Sequence, residues 1–498
     1  MKMTTFKLCF GSCVVLLAAG ASTSCIGREA GSGLTATSSG PDSVTEEPNT
    51  PANDADYPDI VDPKAAPGTA SVSIAMDTRF QTLEGFGAAV GWMHDRIVGD
   101  TPKGLYELLF PQLGLDILRL RNRYNRKEQN DAHPEQDAEI WKRANEASGH
   151  QLKLLMTSWS PPAAIKANKA ERCKGNNDCT LSKENGKFPY DKFADYWVKS
   201  LQEYASLGVV PEYITLQNEL DFVPPNWEGC RFDPVETAEY PGYNVALEKV
   251  YATLHKSPNP PKILGPETLG IHYNKVQNYV RSMNQDLVYG VAHHLYEMGG
   301  DKIWDWRYPG PDSYVDEMLS VAQATRKPLF QTEFMTDDDK GIEGGFETAW
   351  LVHHTMAAEG AVAFVYWDLI WDGLQGLVGM RGKSPTIRDQ YYSMKHFALY
   401  TDPGYVRVGA NSDSKQVLAS AYISPDEKRL TTVLLNTGKN TMDVKLEGGK
   451  SDATKVQAFR TVYRPGHSNR WEELKGLTPT SLIQMPARSV VTVVQEKL

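Results

Sequence analysis

The chain has 498 residues, 41% hydrophobic and 23% charged, which is ordinary globular composition and enough length for a large domain with a smaller one beside it. Its 52 Lys and Arg stand against 62 Asp and Glu, a formal charge of -10, which argues against a broad electrostatic footprint for nucleic acid and favours a neutral or mixed substrate. No CxxC pair and no HExxH motif occurs, so neither a structural zinc nor a zincin site has support.

Residues 1–25, "MKMTTFKLCFGSCVVLLAAGASTSC", have the form of a secretory signal: two lysines, an apolar stretch from Leu8 to Ala21, then small residues. The stretch is too short for a spanning helix. Ser22-Thr23-Ser24-Cys25 resembles a bacterial lipoprotein cleavage box with Cys25 as the lipidated residue, although Ser22 stands where such a box usually has Leu. An outer-membrane or cell-surface lipoprotein is therefore expected, with a periplasmic or freely secreted protein as the alternative. Residues 26–70 are rich in Ser, Thr, Pro, Gly and acids without periodicity and read as a disordered tether.

From residue 71 short apolar runs alternate with helical patterns. Eight strands are predicted, over 82–90, 115–122, 153–159, 212–219, 262–268, 289–296, 328–334 and 361–368, with helix-like stretches such as "FADYWVKSLQEYASLG" and "YNVALEKVYATLHK" between them. Near-continuous apolar strands, each followed by a helix, indicate a covered parallel sheet, and eight such units in about 300 residues fit a closed (β/α)8 TIM barrel over 71–395. Beyond it, over 396–498, the pattern changes to alternating strands without helices ("QVLASAYIS", "LTTVLLN", "TMDVKLEG", "SVVTVVQ"), a β-sandwich that the early strand "ASVSIAM" could join. With three of the six cysteines in the leader, Cys173 and Cys179 are candidates for a disulfide, and Cys230 is an alternative partner for either.

Barrel chemistry sits where the strands end. The predicted strand ends carry Gly85 and Trp92 (first), Arg119 (second), Trp159 (third), Asn218-Glu219 (fourth), His294 and Tyr296 (sixth), Glu333 (seventh), and Trp367 and Asp368 (eighth). Strands four and seven face each other across a barrel mouth, so Glu219 and Glu333 can be opposed, and opposed carboxyls are the apparatus of glycoside hydrolysis. Either acid alone is as readily a solvated loop residue. Trp92, Trp159, Trp227, Trp304, Trp306, Trp367 and Trp371 also fall at or just after strand ends, where flat rings suit sugar faces and where some would merely cap the barrel.

The stretches "LEGFGAAVGW", "LDILRLRNRYN", "LLMTSWSPPAAIK", "LQNE", "HHLY", "FQTEF" and "YYSMKHFALYTDPGYVRVGA" resemble glycoside hydrolase family 30, a retaining (β/α)8 family with a terminal β-sandwich. "SWSPPA" and "PGYVRV" are most similar to its xylanase and glucuronoxylanase branch. The resemblance implies an endo-β-1,4-xylanase-like enzyme with Glu219 as acid/base and Glu333 as nucleophile. It places Arg119 near the nucleophile, Asn218 on the sugar 2-hydroxyl, Tyr296 against Glu333, and His294 on the acid or substrate side; without it His294 reads as a satisfied core histidine. It implies a monomer acting on a polysaccharide or oligosaccharide, without cofactor, metal or nucleic acid, and touching a membrane only through the lipid anchor. Glucuronoxylan-specific relatives carry an Arg just after the eighth strand, whereas this chain reads "YWDLIWDGLQG" with no base before Arg381, so dependence on a uronate branch is not expected. Other family specificities (β-1,6-glucan, β-glucosides, galactan) remain open.

Three rival readings are weaker. "GFGAAVG" imitates a dinucleotide fingerprint but opens no helix and lacks the ribose-binding acid. "TDDDK" (336–340) reads as a solvated acidic loop rather than a Ca²⁺ site. A non-catalytic glycan-binding lipoprotein would keep the tryptophans but has no need of both glutamates.

Overall fold

A computed structural model describes residues 45–46, 66–124, 133–297, 313–336, 341–467 and 470–497. The signal segment with Cys25, the tether up to residue 65 apart from residues 45–46, Trp304, Trp306 and residues 337–340 of "TDDDK" lie outside the described residues. Among the described residues no helix is long and apolar enough to cross a membrane.

Within the segment expected as tether, Thr45–Glu46 pairs in parallel with Thr386–Ile387, and β1 (Gly68–Thr82), which also begins there, belongs to the C-terminal sheet rather than to the barrel. The barrel follows: β2 (Gly85–Val90), β3 (Ile117–Arg121), β4 (Lys153–Thr157), β5 (Tyr213–Thr215), β6 (Lys262–Leu264), β7 (Thr268–Gly270), β8 (Val291–Glu297), β9 (Leu329–Glu333) and β10 (Ala363–Tyr366). All pair in parallel, and β2 joins both β3 and β10. The predicted fifth strand is split at Gly265-Pro266 into β6, paired with β5, and β7, paired with β8, and a parallel bridge from Leu264 to Gly290 closes the ring there. Eight strand positions thus form the closed barrel. Strands such as β2 (GFGAAV) and β9 (LFQTE) are buried at every residue, as a barrel covered by helices requires. The covering helices include α1 (Tyr190–Ser206), α2 (Tyr243–Leu254) and α3 (Lys275–Ser282).

The second sheet has nine strands, with β1 between β11 (Val406–Ser412) and β12 (Met442–Gly448). Its apolar core, including Val72, Val408, Leu434, Val444 and Val491, is separate from that of the barrel. The two are riveted through α4 (Asp389–Ala398), whose buried His396 has one ring nitrogen 2.9 Å from Thr492 Oγ1 and the other 2.9 Å from Thr461 Oγ1.

Inside the barrel, Ile117, Leu155, Tyr213, Leu264, Ala292 and Phe330 form an apolar floor. Alternation along a strand brings every second residue to the same face. Two residues above Ile117, Leu155, Tyr213 and Ala292 stand Arg119, Thr157, Thr215 and His294, so a polar layer rests on the floor. On β9 a register shift between Gln331 and Glu333 breaks the alternation, and Glu333, three residues above Phe330, takes the position level with His294.

Candidate active site

Arg119 is fully buried and organises the polar layer. Its Nη1 donates to Glu333 Oε2 (2.5 Å), its Nη2 to Asn218 Oδ1 (2.8 Å) and Glu267 Oε1 (3.3 Å), and its Nε to Thr157 Oγ1 (3.2 Å). Burying a guanidinium is costly unless its donors are met and its charge paired, and here all three nitrogens are engaged. The face of the guanidinium lies 4.5 Å from the Trp159 ring centre.

Glu219 sits just past β5, in a turn rather than on the strand, with φ +46. Its N–H donates to Glu267 O (3.1 Å), and the preceding Asn218 N–H to Ser158 O (2.8 Å). A non-glycine residue in the left-handed region is uncommon, and these bonds to the neighbouring strand ends hold it there. His294 Nδ1 lies 3.3 Å from Glu219 Oε1, while its Nε2 faces Glu267 Oε1 at 3.7 Å and Glu333 Oε2 at 3.9 Å. Glu219, His294 and Glu333 each bring one side-chain atom within 4.8 Å of the others. With the Arg119 guanidinium already bonded to Glu333 Oε2, that cluster is an ionic network and not a ligand set for a further cation.

Burial raises Glu219 to about 7, reinforced by the charge of Glu333 and opposed by His294. Burial works against a charged imidazole at His294, yet Glu333, Glu219 and Glu267 around it raise it to about 9. Burial likewise disfavours charge on Glu267, but Arg119 and His294 hold its carboxyl below the usual range. Burial thus favours the protonated form of Glu219 toward neutrality, while Arg119 Nη1 donates to the neighbouring Glu333.

Above the polar layer three rings meet: Trp92 lies 5.5 Å from Trp159 and 5.2 Å from Trp367, and those two are 5.3 Å apart. Trp159 and Trp367 are buried and Trp92 is half-buried. A Cβ on Gly91 would lie 1.9 Å from the Trp367 ring, so only glycine admits the cluster. Gly91 N–H donates to Asp368 Oδ2 (2.9 Å), tying the first strand end to the eighth. Burial pushes Asp368 up to about 7, against the pull of its backbone donors.

Trp227 and Trp371 stand on the loops after the fourth and eighth strand positions. Trp227 packs on Phe222 (6.0 Å), and its carbonyl accepts from Cys173 N–H (2.8 Å). Cys173 is disulfide-bonded to Cys179, with Cα atoms 5.3 Å apart; Cys230 is a buried free thiol, pushed up to about 12 by burial. The Tyr296 ring lies 6.0 Å from those of His294 and Phe334. Asp372, on the loop after the eighth strand, is paired with Arg96 Nη2 (3.0 Å), so the mouth is not simply acidic there.

The residues picked from the sequence that meet in one place are Arg119, Asn218, Glu219, His294 and Glu333, with Trp92, Trp159 and Trp367 over them. Glu267 was missed, although it is the last residue but one of the fifth predicted strand ("GPET"), close to where Glu219 stands on the fourth. Thr157 and Thr215 carry no signal beyond their place two residues above the floor.

Residues 404–493 match the glycosyl hydrolase family 30 beta sandwich domain. The glucuronoxylanase XynC of Bacillus subtilis is 24% identical over 457 residues, covering 86% of this chain and 94% of that protein. The endo-1,6-beta-D-glucanase neg1 of Aspergillus fumigatus is 26% identical over 323 residues, covering 58% of this chain and 59% of that one. Among solved structures, the family 30 subfamily 8 xylanase Xyn30A of Clostridium acetobutylicum superposes with a TM-score of 0.66 at 22% identity, covering 86% of this chain and all of that one, which shows the shared fold.

Proposed function

We propose that this chain is a family 30 glycoside hydrolase that cleaves a β-linked xylan backbone by double displacement with net retention. In the first step Glu333 attacks the anomeric carbon while Glu219 protonates the leaving oxygen; in the second, Glu219 as base takes a proton from the water that releases the sugar from Glu333. The observation that carries this reading is the pairing of two carboxyls, approaching within 4.8 Å through their oxygens, in opposite electrostatic settings. A spacing no wider than that is nearer to the roughly 5–5.5 Å of retaining glycosidases than to the roughly 6.5–9.5 Å of inverting ones. Arg119 holds the nucleophile in place by its hydrogen bond, burial keeps the acid protonated, and Asn218, fixed by Arg119, is the group to meet the 2-hydroxyl. Tyr296 is assigned to the nucleophile side and Trp92, Trp159 and Trp367 to the bound sugar, with Trp227 and Trp371 further along the chain.

Xylan is favoured by similarity to the Bacillus and Clostridium enzymes, and endo action by aromatic residues on the loops beyond the central cluster, Trp227 and Trp371. A uronate branch is not required in this reading, because no Arg stands just after the eighth strand and the nearby Arg96 is occupied by Asp372. Similarity to the Aspergillus enzyme keeps β-1,6-glucan as the second substrate class. The test is the product pattern from xylan, arabinoxylan, glucuronoxylan, the same glucuronoxylan stripped of its acid groups, and β-1,6-glucan. Xylan products with little change on stripping support the reading; cleavage of β-1,6-glucan alone contradicts it. We also propose export with Cys25 as a lipid anchor, on the form of residues 1–25; incorporation of labelled palmitate in the wild type but not in Cys25→Ser tests it.

A further inference from the structure

The loop after the fifth barrel strand carries Tyr273, a ring 71% exposed, with φ +63, followed by Asn274 at φ +56. Successive non-glycine residues in the left-handed region are costly, and a bulky aromatic there is more so. The core gains nothing from this conformation, since the ring is in water.

The loop is nevertheless built to hold it. Asn274 N–H donates to Glu317 Oε2 (3.2 Å), and Glu317 Oε1 lies 3.5 Å from Nδ1 of the buried His272. On the other side Lys275 Nζ lies 3.3 Å from Asp221 Oδ2, and Asp221 Oδ1 accepts from Leu269 N–H (2.8 Å). Asp221 is two residues past Glu219. The Tyr273 loop is thereby tied to the turn that carries the proposed acid.

This inference rests on Glu219 being the acid. A group that protonates the leaving oxygen stands on the leaving-group side of the cleaved bond, so the sugars that depart lie over the loops after the fourth and fifth strands. In the Trp92, Trp159 and Trp367 cluster, Trp92 and Trp367 come from the first and eighth strand ends, across the mouth from those loops, and Trp159 from the third. The loop after the fourth strand already presents the neighbouring rings of Phe222 and Trp227, tilted to each other by 36°. We propose that Tyr273 is the outer platform of the leaving-group side, taking a neutral pyranose ring of the polymer by stacking on its face. An exposed phenol ring offers apolar area and a polar tip, which suits a sugar that must bind and then depart.

The test compares the wild type with Tyr273→Asn, which keeps the left-handed backbone and removes the ring, and Tyr273→Phe, which keeps the ring. Substrates are the polymer that the wild type degrades fastest and its linear oligosaccharides of increasing length. Tyr273→Asn is expected to lower kcat/KM on polymer and long oligosaccharides about three- to tenfold and to move the preferred bond of cleavage. Tyr273→Phe is expected to stay within about twofold of the wild type. An unaltered cleavage position and kcat/KM in Tyr273→Asn overturns the inference, as does an equal loss in Tyr273→Phe. Should Glu219→Ala fail to be rescued on activated substrates, the reading of Glu219 falls and this inference with it; an indifferent Tyr273→Asn alongside successful rescue sinks only the platform.

Discussion

Arg119 Nη1 donates to Glu333 Oε2 at 2.5 Å, and the same guanidinium holds Asn218, the neighbour of Glu219, so one buried cation fixes the geometry of both carboxyl positions. Replacement by Lys keeps the charge but loses the planar fork, leaving Asn218 or Glu267 without its donor. Arg119→Lys is expected to lower kcat about tenfold or more with a smaller change in KM, since the hydrogen bonds of the fork orient reacting groups. Steady-state kinetics check it.

The two glutamates should fail differently. Glu333→Gln removes the attacking atom and is expected to cut turnover by at least about a thousandfold on every substrate. Glu219→Ala removes only acid/base help, so substrates with good leaving groups still form the glycosyl-enzyme, and azide, which needs no base, speeds its release. Kinetics on aryl glycosides with and without azide separate the two roles; equal loss without rescue argues against them.

With Glu219 raised to about 7, the acid is protonated below that pH and ionised above it. The rate is therefore expected to fall as pH rises past about 7, approaching tenfold per pH unit. In Glu219→Ala, assayed on an activated substrate, that alkaline limb should vanish. A full pH profile of kcat/KM for both proteins is the measurement.

Gly91→Ala tests the tryptophan cluster. The added methyl would meet the Trp367 ring, which must move or rotate. Overpacking of this kind costs about 1–3 kcal/mol. A lowered thermal midpoint is expected together with a loss of activity larger than the stability change alone explains, because Trp367 leans on Trp92 and Trp159.

The alternation of apolar strands and helices made the barrel legible, and the carboxyls stood out because acids at the ends of buried strands have no packing role. Arg119 stood out at a strand end in the same way, whereas His294, which by itself reads as a core histidine, was placed at the site only by the family resemblance. Strand ends were not legible: the fourth predicted strand shrinks to Tyr213–Thr215, because Asn218 and Glu219 bond to Ser158 and Glu267 in a turn. The fifth broke at Gly265-Pro266, which hid Glu267 in what looked like a continuous run. The bulge that turns Glu333 inward is a matter of register, and register belongs to strand pairing rather than to local pattern. The extended β1 begins in a stretch of small residues, where only pairing with distant β11 and β12 decides for strand.

The central claim, a double displacement through Glu333 assisted by Glu219, is tested most directly by proton NMR of the first sugar anomer released from a β-linked xylan substrate, before mutarotation. The account predicts a first product with β configuration, relaxing later toward the equilibrium mixture. A first product with α configuration would mean a single displacement by water and would contradict it.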